Sequence, residues 1–173
     1  MALRERLAQI RGLYGPILAE AAAQYGHRPE VLAGIMMRET EGGFSRYLDK
    51  PGPGGRGDMG HGHGLMQIDD RSFPEFCRSD AWKDPTVNIH FGAHVLARKR
   101  DWLRKKAIPQ KLLIEADLER ASIASYNCGQ GNVLRALREH EDVDTYTAGR
   151  NYSRKVLEFA GIYSRLGETE ERA

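Results

Sequence analysis

Nine of the 19 glycines in this 173-residue chain fall between positions 42 and 64, together with Pro51 and Pro53. Glycine costs backbone entropy in a helix and proline removes a helical donor, so this window cannot continue one. On either side of it, apolar residues recur mostly at helical spacing. The chain is therefore expected to be mainly α, an α+β fold in which a small hairpin or sheet is inserted after an early helix. A composition of 40% hydrophobic and 29% charged residues suits a soluble globule with a real core, and the length suits one domain over 1–173. No segment approaches the roughly 20 uncharged apolar residues of a membrane-spanning helix, so no membrane insertion is expected. The opening MALRERLAQIRGLYG lacks the continuous apolar run of a secretory signal.

Leu3, Leu7 and Ile10 mark a first amphipathic helix, and Ile17, Leu18 and Ala21 to Ala23 a second after Gly15-Pro16. Residues 1–24 thus form an N-terminal helical extension. Pro29 suits the first turn of a third helix, which Gly42-Gly43 halts. The short apolar segment Gly64 to Asp69 predicts a hairpin or irregular strand. Asp84-Pro85 opens a helix to about Arg104, and further helices are expected near 115–126, 132–139 and 151–164. The polar tail 167–173 is expected to fray.

A net charge of +2 is too small to argue for nucleic acid. The basic run Arg98, Lys99, Arg100, Arg104, Lys105, Lys106 and Lys111 reads first as a solvated helix face and second as an attraction for an anionic polymer. Cys77 and Cys128 match no zinc spacing and make no disulfide framework; two reduced, partly buried thiols are expected.

Glu39 follows Leu32, Ile35 and Met36 at i, i+3, i+4, i+7, which sets a carboxyl group on the core side of a helix. Desolvation, and the negative helix end, would raise its pKa and suit it to general acid work. Pairing with Arg38 or another arginine, or a helix turned so that Glu39 faces water, is the reading that periodicity alone slightly favours. The glycine-rich window then supplies Asp58, and the segment after it Asp69 and Asp70. An acid on a rigid helix facing carboxylates on a flexible rim is the arrangement for acid/base hydrolysis of a glycosidic bond. Ordinary turn chemistry would account for Asp58 and Asp70 equally well.

Other chemistries find less support. His61 and His63 lie in GHGHG, and His90 and His94 have a zinc-compatible spacing, but no HExxH occurs and no metal site is expected. The glycines are not followed by GK[ST], the Asp58 to Asp70 span breaks the EF-hand register, and no histidine is identified to activate Cys128. No cofactor is expected.

Glu39 followed by Gly42-Gly43, then Gly57-Asp58-Met59-Gly60-His61-Gly62-His63-Gly64-Leu65-Met66-Gln67-Ile68-Asp69, resembles the signature of goose-type lysozymes. Asn88-Ile89-x-x-Gly92-x-x-x-Leu96 and Ala124-Ser125-Tyr126-Asn127-x-Gly129-x-Gly131-Asn132-Val133 resemble motifs shared with bacterial lytic transglycosylases, and Asn151-Tyr152-Ser153-x-x-Val156 is similar to the family's last helix. The resemblance implies a mostly helical, lysozyme-like single domain with a small sheet beside a substrate cleft. It makes Glu39 the general acid and Asp58 and Asp69 the holders of the attacking water. It also assigns glycan contacts to Gln67, Tyr126, Asn127, Tyr152 and His63. His61 and His63 depart from the amide and aromatic residue more usual in animal members.

The implied activity is that of a monomeric muramidase, acting on peptidoglycan glycan strands at the cell wall. It would cut the β-1,4 bond between N-acetylmuramic acid and N-acetylglucosamine with inversion. A lytic transglycosylase, which closes an anhydro ring with one catalytic acid, is the alternative; the two aspartates favour hydrolysis. A non-catalytic glycan-binding module and a zinc protein are more distant readings.

Overall fold

The computed structural model describes residues 2–170. Its backbone contacts group into two compact units. One takes in the residues up to Ala93 and those from Phe159 onward, and the other is His94–Glu158.

The first unit opens with α1, Leu3–Tyr25, a single helix with Pro16 in its interior. Two helices parted at Gly15-Pro16 were expected, and the difference is one of magnitudes. An interior proline costs about 3 kcal/mol. The stripe Leu7, Ile10, Tyr14, Leu18, Ala21 and Ala22 is buried on both sides of Pro16, and each large apolar side chain in it contributes roughly 1.5–3 kcal/mol. Breaking the helix would forfeit more than the proline costs. Gly26, with φ of 68°, ends α1 in the left-handed conformation. The second helix, α2, runs from Pro29 to Thr40 and buries Val31, Leu32, Ala33, Gly34, Ile35 and Met36.

The window read as loop holds two of three very short strands: β1 Arg56–Gly57 and β2 Gly62–His63, followed by β3 Ile68–Asp69. They form an antiparallel sheet in the order β1-β2-β3, with Arg56 opposite His63, Gly57 opposite Gly62, and Gly62 opposite Asp69. A five-residue helix α3, Pro74–Arg78, and a 3-10 turn, Asp80–Lys83, follow; neither was read from the sequence. Phe76 of α3 stacks on Phe91 at 3.8 Å between ring centroids, and Phe73 meets Phe91 edge-on at 5.3 Å. Helix α4, Pro85–Lys106, begins in this unit, where the Asp84 carboxylate accepts the Val87 amide at 3.0 Å.

The second unit holds α5 Leu118–Cys128 and α6 Gln130–Arg138. Its core is Leu103, Ala107, Leu113, Leu118, Ala121, Ala124, Val133, Leu134 and Val143. The last helix, α7, starts here at Tyr152 and continues to Glu170. Residues 167–170 are thus helical rather than frayed, and the rest of the expected tail lies outside the described residues.

At the start of α7, the Asp144 side chain is 1% exposed. It accepts hydrogen bonds from the Ser153 amide at 2.9 Å, the Ser153 hydroxyl at 2.7 Å and the Thr147 hydroxyl at 3.1 Å. Burial, the largest influence, pushes its pKa up, but these donors together hold it below the usual carboxylate value. A depressed folded-state pKa contributes stability above the unfolded value of about 3.9, and that stability is lost as pH falls through the folded one. Asp144→Ala, which leaves these donors unsatisfied, is expected to cost about 3 kcal/mol or more in urea denaturation near neutral pH. Asp144→Asn is expected to lose stability less steeply than wild type below about pH 4. An Asp144→Ala protein as stable as wild type would contradict this account of the unit.

Candidate active site

Glu39 occupies the last turn of α2. Leu32, Ile35 and Met36 are fully buried, whereas Glu39 is half-buried at the margin of their stripe. The next residue, Thr40, is 1% exposed. Its hydroxyl donates to the Leu65 carbonyl at 2.8 Å and accepts the Gly43 amide at 3.2 Å, while its carbonyl accepts the amides of Gly43, Phe44 and Ser45. The end of α2 is thus tied to the segment between β2 and β3. Glu41 leaves the helix with φ of 52°, and Gly42 follows at 73°. A Cβ on Gly42 would stand 2.7 Å from Ile10 of α1, so both conformation and space demand glycine there.

Asn88, fully buried in the first turn of α4, holds the same segment from the other side. Its amide nitrogen donates to the His63 carbonyl at 3.1 Å and its oxygen accepts the Met66 amide at 2.8 Å. Gln67, with φ of 47°, folds back so that its side-chain nitrogen donates to the Gly64 carbonyl at 2.8 Å. Its oxygen lies where a Cβ on Gly57 or Gly62 would be, which accounts for glycine in both facing strands.

Asp58 and Asp69 are brought together by a residue that the sequence reading did not single out. The Arg71 guanidinium donates to Asp58 Oδ2 at 2.6 Å through Nη2 and to Asp69 Oδ1 at 2.7 Å through Nε. Ser72 adds a hydroxyl donor to Asp69 Oδ2 at 2.8 Å. Burial pushes the Asp69 pKa up, but the hydrogen bonds from Arg71 and Ser72 and the charge of Arg71 hold it below its ordinary value. Asp58 and Met59 are both in the left-handed region, at φ of 48° and 55°. Two consecutive non-glycine residues there are strained, and such strain concentrates at functional sites. The signal in the sequence was the run Asp69-Asp70-Arg71-Ser72, an arginine within reach of a neighbouring carboxylate.

His63 is 6% exposed and packs edge-on against Trp82 at 4.7 Å, with its Nδ1 2.9 Å from the His61 carbonyl. His61 Nδ1 lies 2.8 Å from Asp70 Oδ1. Tyr126, Asn127 and Tyr152 belong to the second unit. Asn127, exposed near the end of α5, accepts the Ala148 amide at 2.8 Å. Tyr126 is half-buried, and Tyr152, 1% exposed, donates its amide to the Thr147 hydroxyl at 3.3 Å.

Both cysteines are free and half-buried. Burial pushes the Cys77 thiol up to about 11, which leaves little thiolate at neutral pH. Among the described residues no group of three or more His, Cys, Asp or Glu is placed to hold a metal ion. His90 instead donates through Nδ1 to Gln24 Oε1 at 2.9 Å.

The chain is 32% identical over 139 residues to a lysozyme g from Casuarius casuarius, an alignment covering 80% of this chain and 66% of that protein. It is also 32% identical over 139 residues to the lysozyme G of Dromaius novaehollandiae, covering 80% and 60%. The chain thus spans under two thirds of the length of these relatives. Among solved structures, an inactive mutant of the lytic transglycosylase Slt from Pseudomonas aeruginosa shares the fold. That match has a TM-score of 0.63 and 20% identity, and covers 90% of this chain and 24% of that one. The family model for lysozyme g matches residues 5–167, and the chain belongs to the goose-type lysozyme family.

Proposed function

We propose that this protein is a peptidoglycan hydrolase, a muramidase that cleaves the β-1,4 bond between N-acetylmuramic acid and N-acetylglucosamine. The observation that carries the reading is the pair Asp58 and Asp69 joined by Arg71, in a goose-type lysozyme that also keeps Glu39. Glu39 protonates the leaving oxygen. Asp58 and Asp69, joined by Arg71, orient a water on the opposite face of the sugar and take up its proton, so the product anomer is inverted. Gln67, His63, Tyr126, Asn127 and Tyr152 are assigned to the glycan, the buried Tyr152 acting through its neighbours. The reaction asks nothing of a cofactor, since carboxyl groups carry both proton transfers.

A transglycosylase would use the muramic acid's own hydroxyl as nucleophile and has no need of carboxylates that position water. The arginine-held pair therefore favours hydrolysis. No helix among the described residues is long and apolar enough to cross a membrane. The enzyme is read as a monomer that meets glycan strands at the cell wall.

Glu39→Gln keeps the shape of the side chain and removes the transferable proton. Clearing of cell-wall suspensions is expected to fall by about 100-fold or more. A folded Glu39→Gln enzyme near wild-type activity would refute the acid assignment. Asp58→Asn and Asp69→Asn are each expected to cost less than the double variant, because the two carboxylates share one task.

Arg71→Met tests the bridge itself. Asp69 must be ionised to hold water, and loss of the guanidinium removes the larger part of what keeps its pKa low, leaving the Ser72 hydroxyl. The acidic limb of the kcat/KM profile is therefore expected to move to higher pH, with a fall of about 10-fold or more at mildly acidic pH. An unmoved acidic limb in a folded Arg71→Met enzyme would show that the bridge has no part in catalysis.

A further inference from the structure

One pair of side chains beside the carboxylates has no part in this mechanism. His61 and Asp70 face each other one step beyond the Gly62–Asp69 pairing, with Nδ1 and Oδ1 2.8 Å apart. The backbone reinforces the pair. The Asp70 amide donates to the His61 carbonyl at 3.0 Å, and the His61 amide donates to the Asp58 carbonyl at 3.1 Å. His61 is thus anchored to Asp58 on one side, and through Asp70 to Asp69 on the other.

An ionised carboxylate can only accept, so Nδ1 must carry the proton in this contact. In the neutral imidazole the other nitrogen, Nε2, is then a bare acceptor. Nε2 has no hydrogen-bond partner among the described residues, and the side chain is 42% exposed. A half-exposed ring, fixed in one tautomer by a dedicated carboxylate and offering one lone pair outward, is built to receive a donor. Sugars supply such donors as hydroxyl and acetamido N–H groups.

We propose that His61 is a substrate-positioning residue whose Nε2 accepts a hydrogen bond from a hydroxyl or acetamido N–H of the glycan. Asp70 sets the tautomer that makes the acceptor available. The proposal rests on the muramidase reading above and extends its binding surface to a residue outside the acid and water-holding set. His61 takes no proton from the reacting atoms, so its loss acts on substrate affinity rather than on the chemical step.

The test combines tautomer, binding and kinetics at about pH 8, above the ordinary imidazole range. Long-range proton–nitrogen NMR is expected to find His61 protonated at Nδ1 in the wild type, and shifted toward the Nε2-protonated form in Asp70→Leu. His61→Phe keeps a ring but removes the acceptor. It is expected to raise KM on peptidoglycan, and the Kd of tri-N-acetylchitotriose, by about 10-fold with kcat within about 2-fold. His61→Gln, which returns an acceptor oxygen, is expected to recover most of that loss, an outcome that a merely structural role would not give. Should His61→Phe not fold, His61→Ala read against His61→Gln makes the same comparison. Unchanged KM and Kd in a folded His61→Phe, a loss confined to kcat, or a wild-type ring protonated at Nε2 would each overturn the proposal. A wild-type protein that binds the oligosaccharide through His61 but clears no cell wall would contradict the muramidase reading and leave this proposal standing.

Discussion

The hydrogen bond from the Thr40 hydroxyl to the Leu65 carbonyl joins the end of α2 to the segment between the second and third strands. Both groups are buried, and a buried polar group left unpaired costs about 1–3 kcal/mol, so neither can separate cheaply. Much of the first unit is arranged to keep this contact. The left-handed exit at Glu41 and Gly42 turns the chain away under Ile10, and Asn88 clamps the backbone at His63 and Met66. Residue 39 is thereby set on a helix whose last turn cannot drift from the small sheet.

On that frame the site sets two kinds of carboxyl group in different surroundings. Glu39 stands beside fully buried apolar side chains. Asp58 and Asp69 stand at the surface of the sheet, sharing the guanidinium of Arg71. The proposed hydrolysis, with one acid and one base, calls for carboxyl groups in different surroundings. Asp58, Met59 and Gln67 are all held in left-handed conformations that glycine would adopt more easily.

Periodicity alone made the Pro29 helix and the helix opening at Asp84-Pro85 legible, because each carries a long apolar stripe and a proline start. The glycine cluster marked the segment where the helices give way to the first two strands. It could not show that Gly57 and Gly62 face each other in two strands, since that pairing depends on the Gln67 side chain folding over them. Pro16 misled for a plain reason: local propensity argued for a break, and tertiary burial outweighed it. Glu39 and the two aspartates could be picked out by residue type and spacing, and by resemblance. Arg71 showed in sequence only as an arginine next to two aspartates, because its role lies in two distances across a turn, and Thr40 reads in sequence as an ordinary helix residue.

In the proposed mechanism the nucleophile is a water held by Asp58 and Asp69. Mass spectrometry of the muropeptides released from purified peptidoglycan tests it most directly. Hydrolysis predicts products with free reducing ends, each one water heavier than the corresponding anhydro species, and of α configuration when first formed. Products that are predominantly 1,6-anhydromuramic would contradict it, and would make the arginine-bridged aspartates bystanders to a transglycosylase.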